Sequence, residues 1–382
     1  MSVPALRFKE FSGDWVEKAF QDVSKINQGL QIPISDRFLE IGENRHFYIT
    51  NEFLREDSKK QYFIENPPNS VICVESDVLM TRTGNTGKVV TNIKGAFHNN
   101  FFKITYDKHI LNKGFLCEFL CLNSTQSLIL KLAGTSTIPD LNHSDFYKIK
   151  IQFPSLPEQT KIANLLTAVD EKISLLTQKA DLLSQYKKGV MQQIFSQELR
   201  FKDDDGQEFP EWEEASIGSL FIIKAGGDIA SSNVSSVKTD IYTYPIFSNS
   251  EKNLGLFGYT DEFKINTESI TVTGRGTLGI AIPRYAPYYP IVRLLSLIPK
   301  LTFNVYFGAS AINMLNVFIE STGVPQLTAP QISDYVISFP SLPEQNKIAN
   351  FLTAIDEKIT NNQTQLNAVK QYKQGLLQQM FV

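Results

Sequence analysis

A chain of 382 residues with 42% hydrophobic and 20% charged residues has material for two sizeable cores, which excludes a disordered or fibrous protein. The formal net charge is −3, the apolar runs fall short of a membrane span, and the first residues lack a basic flank followed by an apolar stretch. Cytoplasm is therefore the expected location. Three cysteines are too few for a disulfide framework, and the four histidines show no metal-ligand spacing.

In chain order, Leu6-Arg7-Phe8 with Phe11 and Trp15 opens a first variable region. Ser70-Val-Ile-Cys-Val reads as a strand, and the run from Val78 to Val89 reads as a strand entering a glycine turn. The apolar stretch around Cys117 and Cys121 reads as a buried helix, its cysteines as core. The segment from Phe153 to Ile173 then returns at Phe339 to Ile359, an offset of 339 − 153 = 186 residues, with only Thr160/Asn346, Leu165/Phe351 and Val169/Ile355 different. A second opening, Leu199-Arg200-Phe201 with Phe209 and Trp212, follows the first copy. The chain is thus two copies of one unit. The expected divisions are a first domain at 1–155, a spacer helix at 156–196, a second domain at 197–341 and a second spacer helix at 342–382. Drawn as a ring, the end of the second copy would feed the start of the first.

The repeated segments predict long helices. Mostly apolar residues recur in two rows of heptad spacing on each segment: Ile162, Val169, Leu176, Leu183 and Val190 with Leu166, Ile173, Ala180, Lys187 and Ile194 in one. The other has Ile348, Ile355, Asn362, Val369 and Leu376 with Leu352, Ile359, Leu366, Lys373 and Met380. Pro157 and Pro343 suit a first helical turn, and Glu158 and Glu344 carry the charge that a helix N-terminus favours. A seam of five heptads needs a partner, and the matching segment is its own repeat, so an antiparallel coiled coil is expected. A helix of about 36 residues spans roughly 54 Å, comparable to about 16 base pairs of B-form DNA. Asn362, polar within the seam, reads as a register-setting device. Gln185, Tyr186, Gln192 and Gln193 lie outside the seam and recur as Gln371, Tyr372, Gln378 and Gln379, which suggests symmetric contacts with two copies of one partner.

The variable regions read as mixed α/β. The glycine run of the first aligns with Ile270 to Ile280 of the second, bringing Gly84 and Gly87 onto Gly276 and Gly279. Arg82 stands where a nucleotide phosphate loop needs its first glycine, and Val89 where it needs Ser or Thr, so this is not an ATP site. A plain hairpin turn is one reading; a loop whose polar side chains reach bases or phosphates is the other.

The two LRF openings, the stretch from Tyr244 to Phe263, the glycine turn and the twice-used FPSLPEQ helix together resemble the specificity subunit of type I restriction-modification enzymes. The resemblance covers essentially the whole chain. It implies a mixed α+β fold with two target recognition domains, each reading one half of a bipartite DNA sequence, joined by helices that act as a spacer. It also implies two methylation subunits that hold S-adenosylmethionine and methylate adenine, and nuclease-translocase subunits that use ATP and Mg²⁺. This chain itself would bind no cofactor. Because the two variable regions differ while the helices do not, the half-sites should differ and the target should not be a palindrome.

Two other readings compete with this one. Asn66-Pro67-Pro68-Asn69 has an asparagine where an adenine methyltransferase places its stacking aromatic, and Trp15 blocks a cofactor-binding reading of Phe11 to Trp15. No acidic cluster suited to Mg²⁺ follows Pro139-Asp140, so intrinsic catalysis is not expected. A scaffold that does not touch DNA draws support from charge: residues 197–342 hold 10 basic and 16 acidic side chains, a net of 10 − 16 = −6. Phosphate contacts must then come from local clusters, with Arg55, Lys59, Lys60, Arg82 and Lys88 in the first region and Lys252, Lys264, Arg275 and Arg284 in the second. Asn85, Thr86 and Thr277 flank the turns beside them. Arg82, Asn85, Lys88, Arg275 and Thr277 are favoured, since arginine can bond guanine and asparagine adenine bidentately.

Overall fold

A computed structural model describes residues 3–55, 58, 60–134, 137–315, 317 and 325–381. The chain divides into two compact units, one made of residues 1–177 with 364–382 and the other of residues 178–363. Each unit thus holds one variable region and part of both long helices, which run over Leu156–Phe195 and Leu342–Met380.

The heptad rows are the covered faces of these helices. Ile162, Leu166, Val169 and Leu176 are buried in the first unit, where they share a core with Leu376, Met380 and Phe381 from the far end of the other helix. The second unit packs Val190 and Ile194 with Ile348, Leu352 and Ile355. In both, the start of one helix meets the end of the other, so the pairing is antiparallel. The lysines within the seam are neutralised where they sit. Lys373 Nζ lies 2.7 Å from Asp170 and 3.2 Å from Glu118, while Lys187 Nζ lies 2.6 Å from Asp356, which also accepts from the Tyr306 hydroxyl. Asn362 is buried within the seam.

The duplicated motif has a structural duty at each residue. Glu158 is 1% exposed and takes two hydrogen bonds from Arg7 at 2.7 and 2.8 Å. Its counterpart Glu344, fully buried, takes two from Arg200 at 2.9 and 3.0 Å. The LRF opening therefore returns to the helix start and closes a charge-assisted, forked contact. Next in line, Gln159 Oε1 accepts from the Asn112 amide and Gln345 Oε1 from that of Asn304. Asn112 and Asn304 in turn cap the helices Lys113–Cys121 and Val305–Asn313.

The repeat makes the same local joint twice, once within each unit. Leu6 N donates to Gln379 O at 2.8 Å in the first unit, as Leu199 N donates to Gln193 O at 3.0 Å in the second. Trp15 packs on Phe115 and Phe381 at 5.8 and 6.5 Å between centroids, and Trp212 on Phe307 and Phe195 at 5.7 and 6.1 Å. The first unit's joint is thus supplied by the chain's C-terminal residues.

The sheets also correspond. A two-stranded antiparallel ribbon, Val16–Ala19 with Lys150–Phe153 or Glu213–Ser216 with Val336–Phe339, frames each variable region. Each unit also has a four-stranded antiparallel sheet, ordered Ser24–Gln28, Phe101–Tyr106, Val78–Thr81, Val89–Val90 in the first. In the second the order is Phe221–Ala225, Leu295–Pro299, Ser269–Val272, Ala281–Arg284. Val78–Thr81 and Ser269–Val272 are buried at every position, so the apolar run of the first and the alternating Ser269 and Thr271 of the second alike face the interior. A smaller sheet in each contains a parallel pair, Arg45–Ile49 with Gly95–Phe97 and Tyr244–Phe247 with Tyr289–Pro290. Of the two cysteines, Cys117 is half-buried against the core of its unit, whereas Cys121 departs from expectation. Only Phe115, Leu116, Phe119 and Leu120 of their helix are buried, and Cys121 is exposed.

Removing Arg7 would leave Glu158 buried without a cation, and Arg7→Ala is expected to cost on the order of 3–5 kcal/mol. The measurement is the urea midpoint of the full chain; adding Glu158→Gln should return part of the loss. An unchanged midpoint for Arg7→Ala would mean that the pair does not hold the helix start.

Candidate nucleic-acid interface

The glycine turns link the central strand of each larger sheet to its edge strand. In the first unit Thr81 Oγ1 donates to Asn85 O at 2.5 Å and accepts from Lys88 N at 2.9 Å, and Gly87 N donates to Thr81 O at 2.8 Å. In the second, Thr273 Oγ1 donates to Thr277 O at 2.5 Å and accepts from Ile280 N at 3.0 Å, and Gly279 N donates to Thr273 O at 2.9 Å. The four aligned glycines have φ of 65° and 92° in the first turn and 72° and 80° in the second, left-handed values that disfavour a side chain. The loops share one backbone but present different side chains.

Which side chains are available differs from the sequence expectation. Arg82 is committed elsewhere: its Nη2 lies 2.7 Å from Asp140 Oδ2, its Nε donates to Leu141 O, and its guanidinium sits over Phe102. Thr86 is buried and donates to Pro139 O. Arg284 is also buried, with Nε donating to Thr271 Oγ1 at 2.9 Å, Nη2 to Leu254 O at 2.7 Å, and the group 3.5 Å from the Phe247 ring. Burial pulls that guanidinium down to about 10. These three are corrections: each side chain holds segments of its own unit together, so none of them is free on the surface. Lys59 lies outside the described residues.

The others are at the surface. Arg55, Lys60, Asn85 and Lys88 are exposed in the first unit, and a polar recess of about 410 Å³ is lined by Asn51, Glu52, Arg55, Gly84 and Asn85. Lys88 Nζ approaches Leu54 O at 3.3 Å. In the second unit Lys252, Lys264 and Thr277 are exposed and Arg275 is half-buried at its turn. Lys264 lies over Tyr289 at 5.2 Å. The recess brings Arg55 and Asn85 together although 30 residues separate them; Lys60 and Lys264 are not lining residues there. Asn51, missed by sequence reasoning, carries no motif of its own. On the long helices, Gln185, Tyr186, Gln192, Gln193, Gln371, Tyr372, Gln378 and Gln379 are all exposed.

Comparison with known proteins decides the family. The model of the type I restriction modification DNA specificity domain matches residues 12–185 and again 210–371. The chain belongs to this family. As a type I specificity subunit it carries two recognition domains, one in each unit. It is 31% identical over 256 residues to a type I specificity subunit of Mycoplasma pneumoniae, covering 66% of this chain and 69% of that one. With the specificity subunit of the type I enzyme MjaVIII of Methanocaldococcus jannaschii it shares 27% over 231 residues, covering 57% and 53%. The specificity subunit of M. genitalium, a crystal structure, has the same fold at a TM-score of 0.68 and 18% identity, over 100% of this chain and 99% of that one. Among the described residues, no helix is long and apolar enough to cross a membrane, and no group of three or more His, Cys, Asp or Glu is placed to hold a metal ion.

Arg284→Ala removes two hydrogen bonds and a ring contact from the specificity subunit's interior and is expected to cost about 2–3 kcal/mol. Lys252→Ala, at the surface of the same unit, should change stability by less than about 0.5 kcal/mol. Thermal denaturation of both variants checks this; equal midpoints would show that the buried guanidinium is dispensable.

Proposed function

We propose that this specificity subunit reads a bipartite, asymmetric DNA target, one half with each recognition domain, and that it performs no chemistry itself. The observation that carries the reading is the pair of glycine turns. They share backbone hydrogen bonds and glycine positions, yet one presents Asn85 and Lys88 where the other presents Thr277 and Ile280. A common loop with different side chains suits two heads reading different bases. Arg55, Lys60, Asn85 and Lys88 are the first domain's candidates, and Lys252, Lys264, Arg275 and Thr277 the second's.

The long helices set the spacing between half-sites and dock two methylation subunits, which hold the S-adenosylmethionine. The exposed glutamine and tyrosine pairs that repeat on both helices, from Gln185 to Gln193 and from Gln371 to Gln379, support two like docking contacts. Nuclease-translocase subunits with ATP and Mg²⁺ join when the complex restricts. A cytoplasmic place follows from such a role. The second domain's net charge of −6 supports a further point: the isolated chain supplies few phosphate contacts, and the methylation subunits supply most.

Sequencing of methylated adenine in the host genome, with the gene intact and deleted, tests the reading. A split, non-palindromic motif should lose methylation on deletion; a palindromic motif would overturn the asymmetric assignment. Within the assembled complex, Arg275→Ala should weaken discrimination at one half-site by about 1–3 kcal/mol and leave the other intact. Tight, sequence-specific binding by the isolated chain would contradict the shared-clamp part of the proposal.

A further inference from the structure

The parallel strand pairs place Tyr48 opposite Ala96 in the first unit and Ile246 opposite Tyr289 in the second, so Ile49 and Phe247 end equivalent strands. Two residues beyond each stands an asparagine, Asn51 and Asn249, in otherwise different surroundings. Both side chains grip the glycine turn of their own unit. Asn51 Nδ2 donates to Thr83 O at 2.7 Å and to Gly84 O at 3.1 Å. Asn249 Oδ1 accepts from Gly274 N at 2.7 Å, while its Nδ2 donates to Val292 O at 2.5 Å. With two carbonyls as partners, Asn51 must present its NH₂ group; Asn249 uses both halves of the amide.

The neighbouring backbone is shaped around these contacts. A Cβ on Gly84 would come within 2.7 Å of Asn51 Nδ2, and the φ of 65° there favours glycine where the amide approaches. In the second unit a Cβ on Gly274 would meet Arg293 O at 2.8 Å, and Val292 and Arg293 hold φ of 44° and 62°. A β-branched residue with such a φ is strained and persists only where surrounding contacts fix it, and the bond from Asn249 to Val292 O is one of them. The same amide therefore ties together the end of the smaller sheet, the glycine turn and, in the second unit, the strained bend before Leu295–Pro299.

We propose that Asn51 and Asn249 are positioning residues, each setting the pose of the glycine turn with which its recognition domain reads its half of the target. The proposal rests on the functional reading above. Neither asparagine need touch a base. Asn51 shares its recess with Arg55 and Asn85, and Asn249 bonds the residue preceding Arg275. Side chains reading base edges must be held to within about half an ångström, so loosening the turn should lower discrimination before it lowers folding.

The test uses the complete complex with its methylation subunits and three duplexes: the full target, one altered in the first half-site and one altered in the second. The discrimination ratio, the methylation rate on the full target over that on an altered duplex, is measured with the melting temperature and complex assembly. Asn51→Ala should lower the ratio for one half-site on the order of tenfold while the other stays within about twofold; Asn249→Ala should do the converse. Chemistry predicts a rank order that a merely structural role would not. Asn51→Asp sets a carboxylate against two carbonyls and should do no better than alanine, whereas Asn249→Asp keeps the bond from Gly274 N and should fall between parent and alanine. If an alanine variant does not assemble, Asn51→Ser and Asn249→Ser carry the same comparison. Assembled variants with both ratios at the parent value, or with equal losses at both half-sites, overturn the proposal. A parent complex whose rate ignores both half-sites overturns the functional reading itself, and the proposal with it.

Discussion

The buried pairing of Glu158 with Arg7, repeated as Glu344 with Arg200, is the constraint around which each unit is organised. A carboxylate this far from water is tolerable only when paired and hydrogen-bonded, and a guanidinium fork satisfies both of its oxygens. The pairing joins the opening of each variable region to the first turn of the helix that follows it. Gln159 and Gln345, one residue further, then anchor the cap of the helix that carries Phe115 or Phe307. Those phenylalanines complete the aromatic joint with Trp15 or Trp212. A short motif thus specifies how a variable region closes on itself, and outside the helix cap, the core strands and the glycine turn the stretch between opening and helix is free to differ.

That freedom is visible in the sheets. Both larger sheets keep one strand order and one fully buried central strand, because the core face admits little change. The turn at the end of that strand keeps its glycines and threonine hydrogen bonds for a backbone reason, since left-handed φ is costly for other residues. Beyond backbone needs, the turns diverge, as two heads that read different bases would. The charge balance diverges too: the first region is near neutral and the second is acidic, which places any phosphate attraction in local clusters.

Committed and available arginines could not be separated from composition. Arg82 and Arg284 sit among the basic residues of their regions, as Arg55 and Arg275 do, but the first two are bound to groups distant in the chain. Arg82 finds Asp140, 58 residues away, and Arg284 finds Leu254 O, 30 residues away. An arginine inside a protein is retained by such partners, and its availability to DNA is decided by whether they exist.

The sequence by itself determined the two-fold repetition, the two mixed domains, the long helices with their covered rows and the antiparallel pairing, all of which rest on short periods or on near-identical segments. Heptad spacing from Ile162 to Ile194 needs no knowledge of distant residues, because neighbours on a helix face are three and four apart. Only the tertiary structure decided which polar side chains stand at the surface, how Arg7 and Arg200 are used, and that Asn51 and Asn249 occupy equivalent places. Those two asparagines lie 198 positions apart in segments with little else in common, and each meets its turn across 25 or more residues. Such contacts depend on where folded strands end in space, and no local pattern of residue types encodes that.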